Sequence, residues 1–238
     1  MHKSQLNSSA AKRSTADVVP SNNRRNFLRN AGLTTAASVA FLAVGCKKDE
    51  VVITPNTVNL GSGDVGILNY AYALEQLEAA FYIQVIATPY SGISASELAL
   101  LTDIRDHEII HRDFFKAALG ANAIQGLEVN FSAIDFTSRA SVLGTAKVFE
   151  DTGVAAYNGA GKLIKDGGYL LLAGKIVSVE ARHAAAIRDL LNPFTASFAG
   201  DDIIDGNGLD AAKKPADILA AVQPFVKTPL SGANLPTS

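Results

Sequence analysis

Between residues 64 and 191, apolar side chains recur at three- and four-residue intervals in four long segments, each bounded by a turn signal. The spacing predicts a first helix from about residue 64 to Ala87, with Asp64 as its N-cap and Pro89 closing it. A second helix is predicted over Ser94–Leu119, where Ser94 and Glu97 make a capping box and Gly120 is the stop. The third runs over Ser138–Lys165 to Gly167-Gly168, and the fourth over Tyr169–Leu191 to Pro193. Residues 120–137 lack helical period, and the alternation Leu127-Glu128-Val129-Asn130-Phe131 reads as an extended connection. Two helix pairs joined by an 18-residue link predict an all-α fold: a four-helix bundle with one long crossover between the second and third helices. The tail, 193–238, holds one short helix near Pro215–Val222 and is expected to pack on the bundle.

The apolar stripes are interrupted by charge. They run Leu68, Tyr72, Glu75, Ala79, Tyr82 in the first helix and Leu101, Ile104, Glu108, His111, Phe115 in the second. They continue as Leu143, Ala146, Glu150, Gly153, Tyr157 and as Ile176, Glu180, His183, Ile187. An unpaired carboxylate moved into a core costs several kcal/mol or gives up its charge. Four at similar depth need compensation, and a pair of divalent metals supplies it. Carboxylate and imidazole donors suit iron, manganese or zinc.

The pattern also repeats. Glu75 and Tyr82 are seven residues apart, as are Glu150 and Tyr157, so each Tyr lies on the face of its Glu. Each of these helices is followed by one carrying Glu-x-x-His, Glu108–His111 and then Glu180–His183, with both groups one turn apart on one face. Glu78, one turn from Glu75, is a further possible ligand. Tyr82 and Tyr157 are expected to hydrogen-bond ligand carboxylates across the site. His107 and Val179 precede the two Glu-x-x-His pairs, and His107 is a candidate to support a metal-bound imidazole from behind.

This arrangement resembles the ferritin-like di-metal carboxylate proteins, the matching residues being Glu75, Glu108, His111, Glu150, Glu180 and His183. The segments Leu74-Glu-Gln-Leu-Glu-Ala-Ala-Phe-Tyr82 and Glu180-Ala-Arg-His183, with Pro215–Phe225 of the tail, are similar to exported ferritin-like proteins related to plant desiccation-associated proteins. The resemblance covers about residues 64–226. It implies two metal ions, Fe or Mn, and redox chemistry with dioxygen or peroxide of a ferroxidase, peroxidase or catalase kind, in stress protection. It is equally compatible with a non-enzymatic envelope scaffold whose metals are structural, because fold does not fix function. A third reading takes His107-Glu108-x-x-His111 as a zinc metalloprotease motif, with Glu108 as general base. That reading leaves Glu75, Glu150 and Glu180 unexplained.

Composition changes the picture mainly at the N-terminus. Residues 1–30 carry six basic side chains and one acid, and residues 31–45 are uncharged, too short to span a bilayer but suited to a signal-peptide core. Asn23-Arg24-Arg25-Asn26-Phe27-Leu28-Arg29 resembles a twin-arginine export signal, and Ala43-Val44-Gly45-Cys46 resembles a bacterial lipobox. The expectation is a signal peptide over 1–45, a lipid on Cys46 anchoring the chain to a membrane, and a polar tether over 46–63. The bundle follows over 64–192 and the extension over 193–238. The protein is then exported to the cell envelope or periplasm. Beyond Cys46 the chain has 15 basic and 22 acidic residues, a net charge of −7 against −2 for the whole. Nothing in that charge favours nucleic acid. The single Cys excludes an intrachain disulfide framework and a Cys-rich zinc site.

Overall fold

A computed structural model describes residues 56–237. The signal segment, Cys46 and the first part of the tether lie outside the described residues. Four long helices form the body: α1 (Gly63–Ala87), α2 (Ala95–Leu119), α3 (Arg139–Gly161) and α4 (Gly167–Leu191). A short α5 (Pro215–Val222) sits in the tail, as the sequence predicts. α1 packs chiefly on α2 and α3 on α4, so the bundle is two hairpins linked by the crossover. None of the described helices is long and apolar enough to cross a membrane.

Local chemistry sets the helix ends. Ser94 and Ser138 cap α2 and α3, accepting from the backbone N–H of Glu97 and Ser141. Gly120 ends α2 at a positive φ of 54°. Three expectations at the ends change. Ser62, not Asp64, occupies the N-cap position of α1. The Asp64 carboxylate instead accepts from Lys165 and Asp166 N–H at 2.9 and 2.8 Å, closing the turn between α3 and α4. α3 stops at Gly161 rather than Lys165, because the chain folds back so that Leu163 is buried and bonded to Ala160 O. Asp166 then caps α4 through Gly168 and Tyr169 N–H, starting it two residues early.

The tether expectation is also corrected at its end. Val58–Asn59 (β1) pairs in parallel with Leu230–Ser231 (β2), and Leu60 is fully buried. The alternating Val58 and Leu60 give this stretch an apolar side, which it spends against the tail. Asn69, buried on α1, donates to Leu60 O and Asn122 O and accepts from Ile124 N–H. Gln76, two turns on, accepts from Leu127 N–H at 2.8 Å. These two amides pin the crossover along α1, and Val129 of the crossover bridges to Val226 of the tail. Covered in this way, α1 is buried on nearly every side.

The core carries Leu77, Leu101, Leu143 and Ile187, all nearly inaccessible. Each contributes about 1.5–3 kcal/mol by leaving water. Phe81 meets Tyr82, Phe131 and Phe149 edge to face, locking the crossover to the bundle. The tail crosses α3 at Gly159, where a Cβ would overlap Lys213 O, and Lys213 N–H bonds Ala155 O. Arg188 of α4 is buried and forks onto Asp151 of α3 and Asp202 of the tail.

Candidate metal centre

The four interrupted stripes converge at mid-bundle. Glu75 comes from α1, Glu108 and His111 from α2, Glu150 from α3, and Glu180 and His183 from α4. All four carboxylates are fully buried. They form two groups, each with its ligand atoms within 4.8 Å of one another: Glu75, Glu108, His111 and Glu180, and then Glu108, Glu150, Glu180 and His183. Glu108 and Glu180 belong to both. Helical spacing of 3.6 residues per turn is what aims Glu108 with His111, and Glu180 with His183, into one volume.

The contacts sort atom by atom. His111 Nδ1 lies 2.8 Å from Glu180 Oε1, 3.5 Å from Glu75 Oε2 and 3.8 Å from Glu108 Oε2. His183 Nδ1 lies 2.8 Å from Glu108 Oε1, 3.5 Å from Glu150 Oε2 and 3.9 Å from Glu180 Oε2. Each shared carboxylate thus offers one oxygen to each group. All eight of these atoms are buried without a properly directed hydrogen bond. A buried polar atom left so costs about 1–3 kcal/mol. Eight atoms drawn close but not aimed at one another are what a donor set around cations leaves behind. The remaining oxygens of the outer carboxylates are satisfied: Tyr82 Oη donates to Glu150 Oε1 at 2.5 Å, and Tyr157 Oη donates to Glu75 Oε1. Each Tyr reaches the Glu of the other hairpin.

Proton affinities follow from this crowding. Burial, with the charges of Glu108 and Glu75, pushes Glu180 well above the usual carboxylate range. Burial lifts Glu75 to about 7 and also raises Glu150. Burial pushes Glu108 up as well, but the close imidazoles of His111 and His183 outweigh it and take it down to about 2. Burial alone would lower both imidazoles, yet the carboxylates around them hold His111 up to about 12 and His183 up to about 10. Without a cation the cluster stores protons, with imidazolium as counter-charge.

Glu78 is buried beside the groups but belongs to neither. Its Oε1 lies 3.1 Å from where a Cβ on Gly153 would stand, so Gly153 leaves the space it fills. Burial and the surrounding carboxylates push it well above its ordinary range. The sequence reading did not assign Gly153 this part, although Gly153 follows Glu150 as Glu78 follows Glu75.

His107 also stands outside both groups, and its Nδ1 meets His183 Nε2 at 2.9 Å. This corrects the metalloprotease reading. There Glu108 would stand back as a base between two zinc-binding His, whereas here Glu108 sits at the centre and His107 behind it. A narrow apolar pocket lined by Leu68, Ala71, Phe115, Ala156, Tyr157 and Ala173 adjoins the Tyr157 side of the cluster.

No curated protein matches the chain. The model of one family, the ferritin-like domain, matches residues 63–193, from the first residue of α1 to just past α4. With that match over more than half its length, on a four-helix bundle holding a buried carboxylate and imidazole cluster, the chain belongs to the ferritin-like domain family.

Proposed function

We propose that this is an exported, envelope-tethered protein holding two iron or manganese ions for redox chemistry with dioxygen or peroxide. One observation carries the reading: eight buried, unsatisfied donor atoms fall into two sets of four that share Glu108 and Glu180. Charge supports the number of ions. Glu75, Glu108, Glu150 and Glu180 bring four negative charges when ionised, and two divalent cations balance them with both imidazoles neutral. A single divalent ion leaves two buried charges uncompensated. The donor set contains no thiolate, which favours Fe or Mn.

In this reading Glu75 with His111 would hold one ion and Glu150 with His183 the other, with Glu108 and Glu180 belonging to both donor groups. The ions supply electrons to the oxidant when bound. The chain supplies position. Tyr82 and Tyr157 each fix one oxygen of an outer carboxylate, leaving the other free to bind. The bundle walls exclude bulk water, and the apolar pocket beside Tyr157 suits a small, weakly polar oxidant such as dioxygen. Export and the lipid on Cys46 rest on Arg24-Arg25, the uncharged run 31–45 and the Cys that ends it.

The test is elemental analysis of purified protein, then anaerobic loading with Fe(II) and exposure to oxygen or peroxide, followed by absorbance. About two equivalents bound and oxidised in a fast phase is the expected result. Bound metal with no oxidation favours the structural scaffold. No bound transition metal overturns the reading.

A further inference from the structure

The repeat that builds the centre is broken at one matched pair of positions. His107 precedes Glu108-x-x-His111, and Val179 precedes Glu180-x-x-His183. His107 crosses from α2 to α4, and its Nδ1 lies 2.9 Å from His183 Nε2. The two ring planes are within 11° of each other and their centroids are 5.1 Å apart. The centroids are farther apart than the nitrogens by about two ring radii, so the rings meet edge to edge in a shared plane. That is the geometry of a near-linear N–H···N bond. Valine has no polar atom to return the favour, and His111 Nε2 has no hydrogen-bond partner among the described residues. The His111 side chain is also the more open, 11% accessible against 5% for His183.

We propose that His107 is a positioning residue that makes the two metal positions inequivalent: the Glu150–His183 position is organised in advance and fills first, and the Glu75–His111 position fills second. The proposal rests on the di-metal reading. For His183 to bind through Nδ1, that nitrogen must be bare and Nε2 must carry the proton. His107 Nδ1 accepts that proton's hydrogen bond, which fixes the ring's rotation before any ion arrives and keeps the Nε2 proton in place when Nδ1 gives up its own to the ion. His111 has no such support and pays for ring ordering when its ion binds. Support of this kind from behind a ligand is worth about 10–100-fold in metal affinity. Because the supporting group is a neutral imidazole rather than a carboxylate, it orients His183 without adding negative charge to an already acidic core.

The experiment uses the folded protein and Zn(II), a diamagnetic probe, with the imidazole nitrogens followed by NMR during titration. The His183 and His107 signals are expected to shift with the first equivalent and those of His111 with the second. His107→Val, which copies the other half of the repeat, lowers the first-step affinity about 10–100-fold and merges the two steps. His107→Asn keeps an acceptor near the Nδ1 position and restores much of the separation. His107 is itself mostly exposed, so these variants leave the core intact. Shifts of His111 and His183 together, or His111 first, overturn the inequivalence alone. So does a His107→Val protein with wild-type steps. Absence of Zn(II) binding in the wild type, with no metal taken up from Fe(II) or Mn(II) either, sinks the di-metal reading instead.

Discussion

Replacing a shared carboxylate should strengthen the metal-free fold while removing its ability to be stabilised by metal. Glu180→Gln keeps the shape of the side chain and removes its charge. In the folded chain, burial and the neighbouring carboxylates raise Glu180 well above its unfolded value of 4.5. A carboxyl raised on folding binds its proton more tightly in the native state, so stability falls as pH climbs above 4.5. The loss is about 1.4 kcal/mol per pH unit for as long as the folded group stays protonated. Gln does not pay it. Gln does lose the contact with His111 Nδ1, which retains Glu75 and Glu108 nearby, at a cost of about 1 kcal/mol. Well above pH 4.5 the relief outweighs this cost, and each kcal/mol of net gain raises the melting temperature by about 2–4 °C for a domain of this size. Calorimetry of chelator-treated protein measures it. At pH 6.5 the variant melts above the wild type, and at pH 4.5 the advantage disappears. Adding Fe(II) anaerobically or Mn(II) reverses the order, because only the wild type retains both shared carboxylates. A metal-free variant that melts below the wild type at pH 6.5, or a gap that ignores pH, refutes the reasoning.

Three further outcomes are expected. Metal must displace protons from His111 and His183, whose proton affinities the carboxylates hold up to about 12 and about 10, so binding releases protons and apparent affinity rises with pH through the neutral range; potentiometric titration during loading checks this. Gly159→Ala puts a methyl group where Lys213 O lies, so the tail strap must lift; hydrogen exchange at Lys213 N–H should rise sharply and stability fall by about 1–3 kcal/mol. Arg188→Ala leaves Asp151, half of a bidentate pair at 2.8 Å, without its partner; urea unfolding should show a loss of about 3 kcal/mol with metal stoichiometry unchanged.

Much of the centre was legible because helical spacing is rigid. Once Glu75 and Tyr82, or Glu108 and His111, are on one face of a helix, only the phase of four helices remains to be found, and the stripes supply it. The crossing hydrogen bonds of Tyr82 and Tyr157 follow from the same repeat. The reading failed where structure depends on what lies over a helix rather than within it. Asn69 and Gln76 look like polar punctuation on α1, yet they are the anchors of the crossover. Asp64 has the chemistry of a cap but serves a turn a hundred residues away. Val58 and Leu60 fell within the stretch expected to be a tether, because their partners are in the tail. Arg188 gave no periodic signal, since its two acids come from different elements.

The breaks in the repeat then have physical causes of different kinds. Glu75–Glu78 on α1 is answered on α3 by Glu150–Gly153, and a second Glu at 153 would crowd Glu78, its Cβ standing 3.1 Å from Glu78 Oε1. Charge opposes it too. In the di-metal proposal two divalent ions would balance the four clustered carboxylates and leave Glu78 as a fifth acid, whose proton affinity burial and those carboxylates raise. A sixth would have to be buried as an acid as well, in space that Glu78 already crowds. At the ends of the site the limit is a hydrogen bond rather than volume. His107 finds an imidazole edge to support and Val179 offers none. The two halves are therefore alike where the buried donors cluster, at Glu75 and Glu150, Glu108 and Glu180, His111 and His183. They differ at Gly153 for space and at His107 for orientation, and under the proposal above those differences would give two otherwise matched positions separate behaviour.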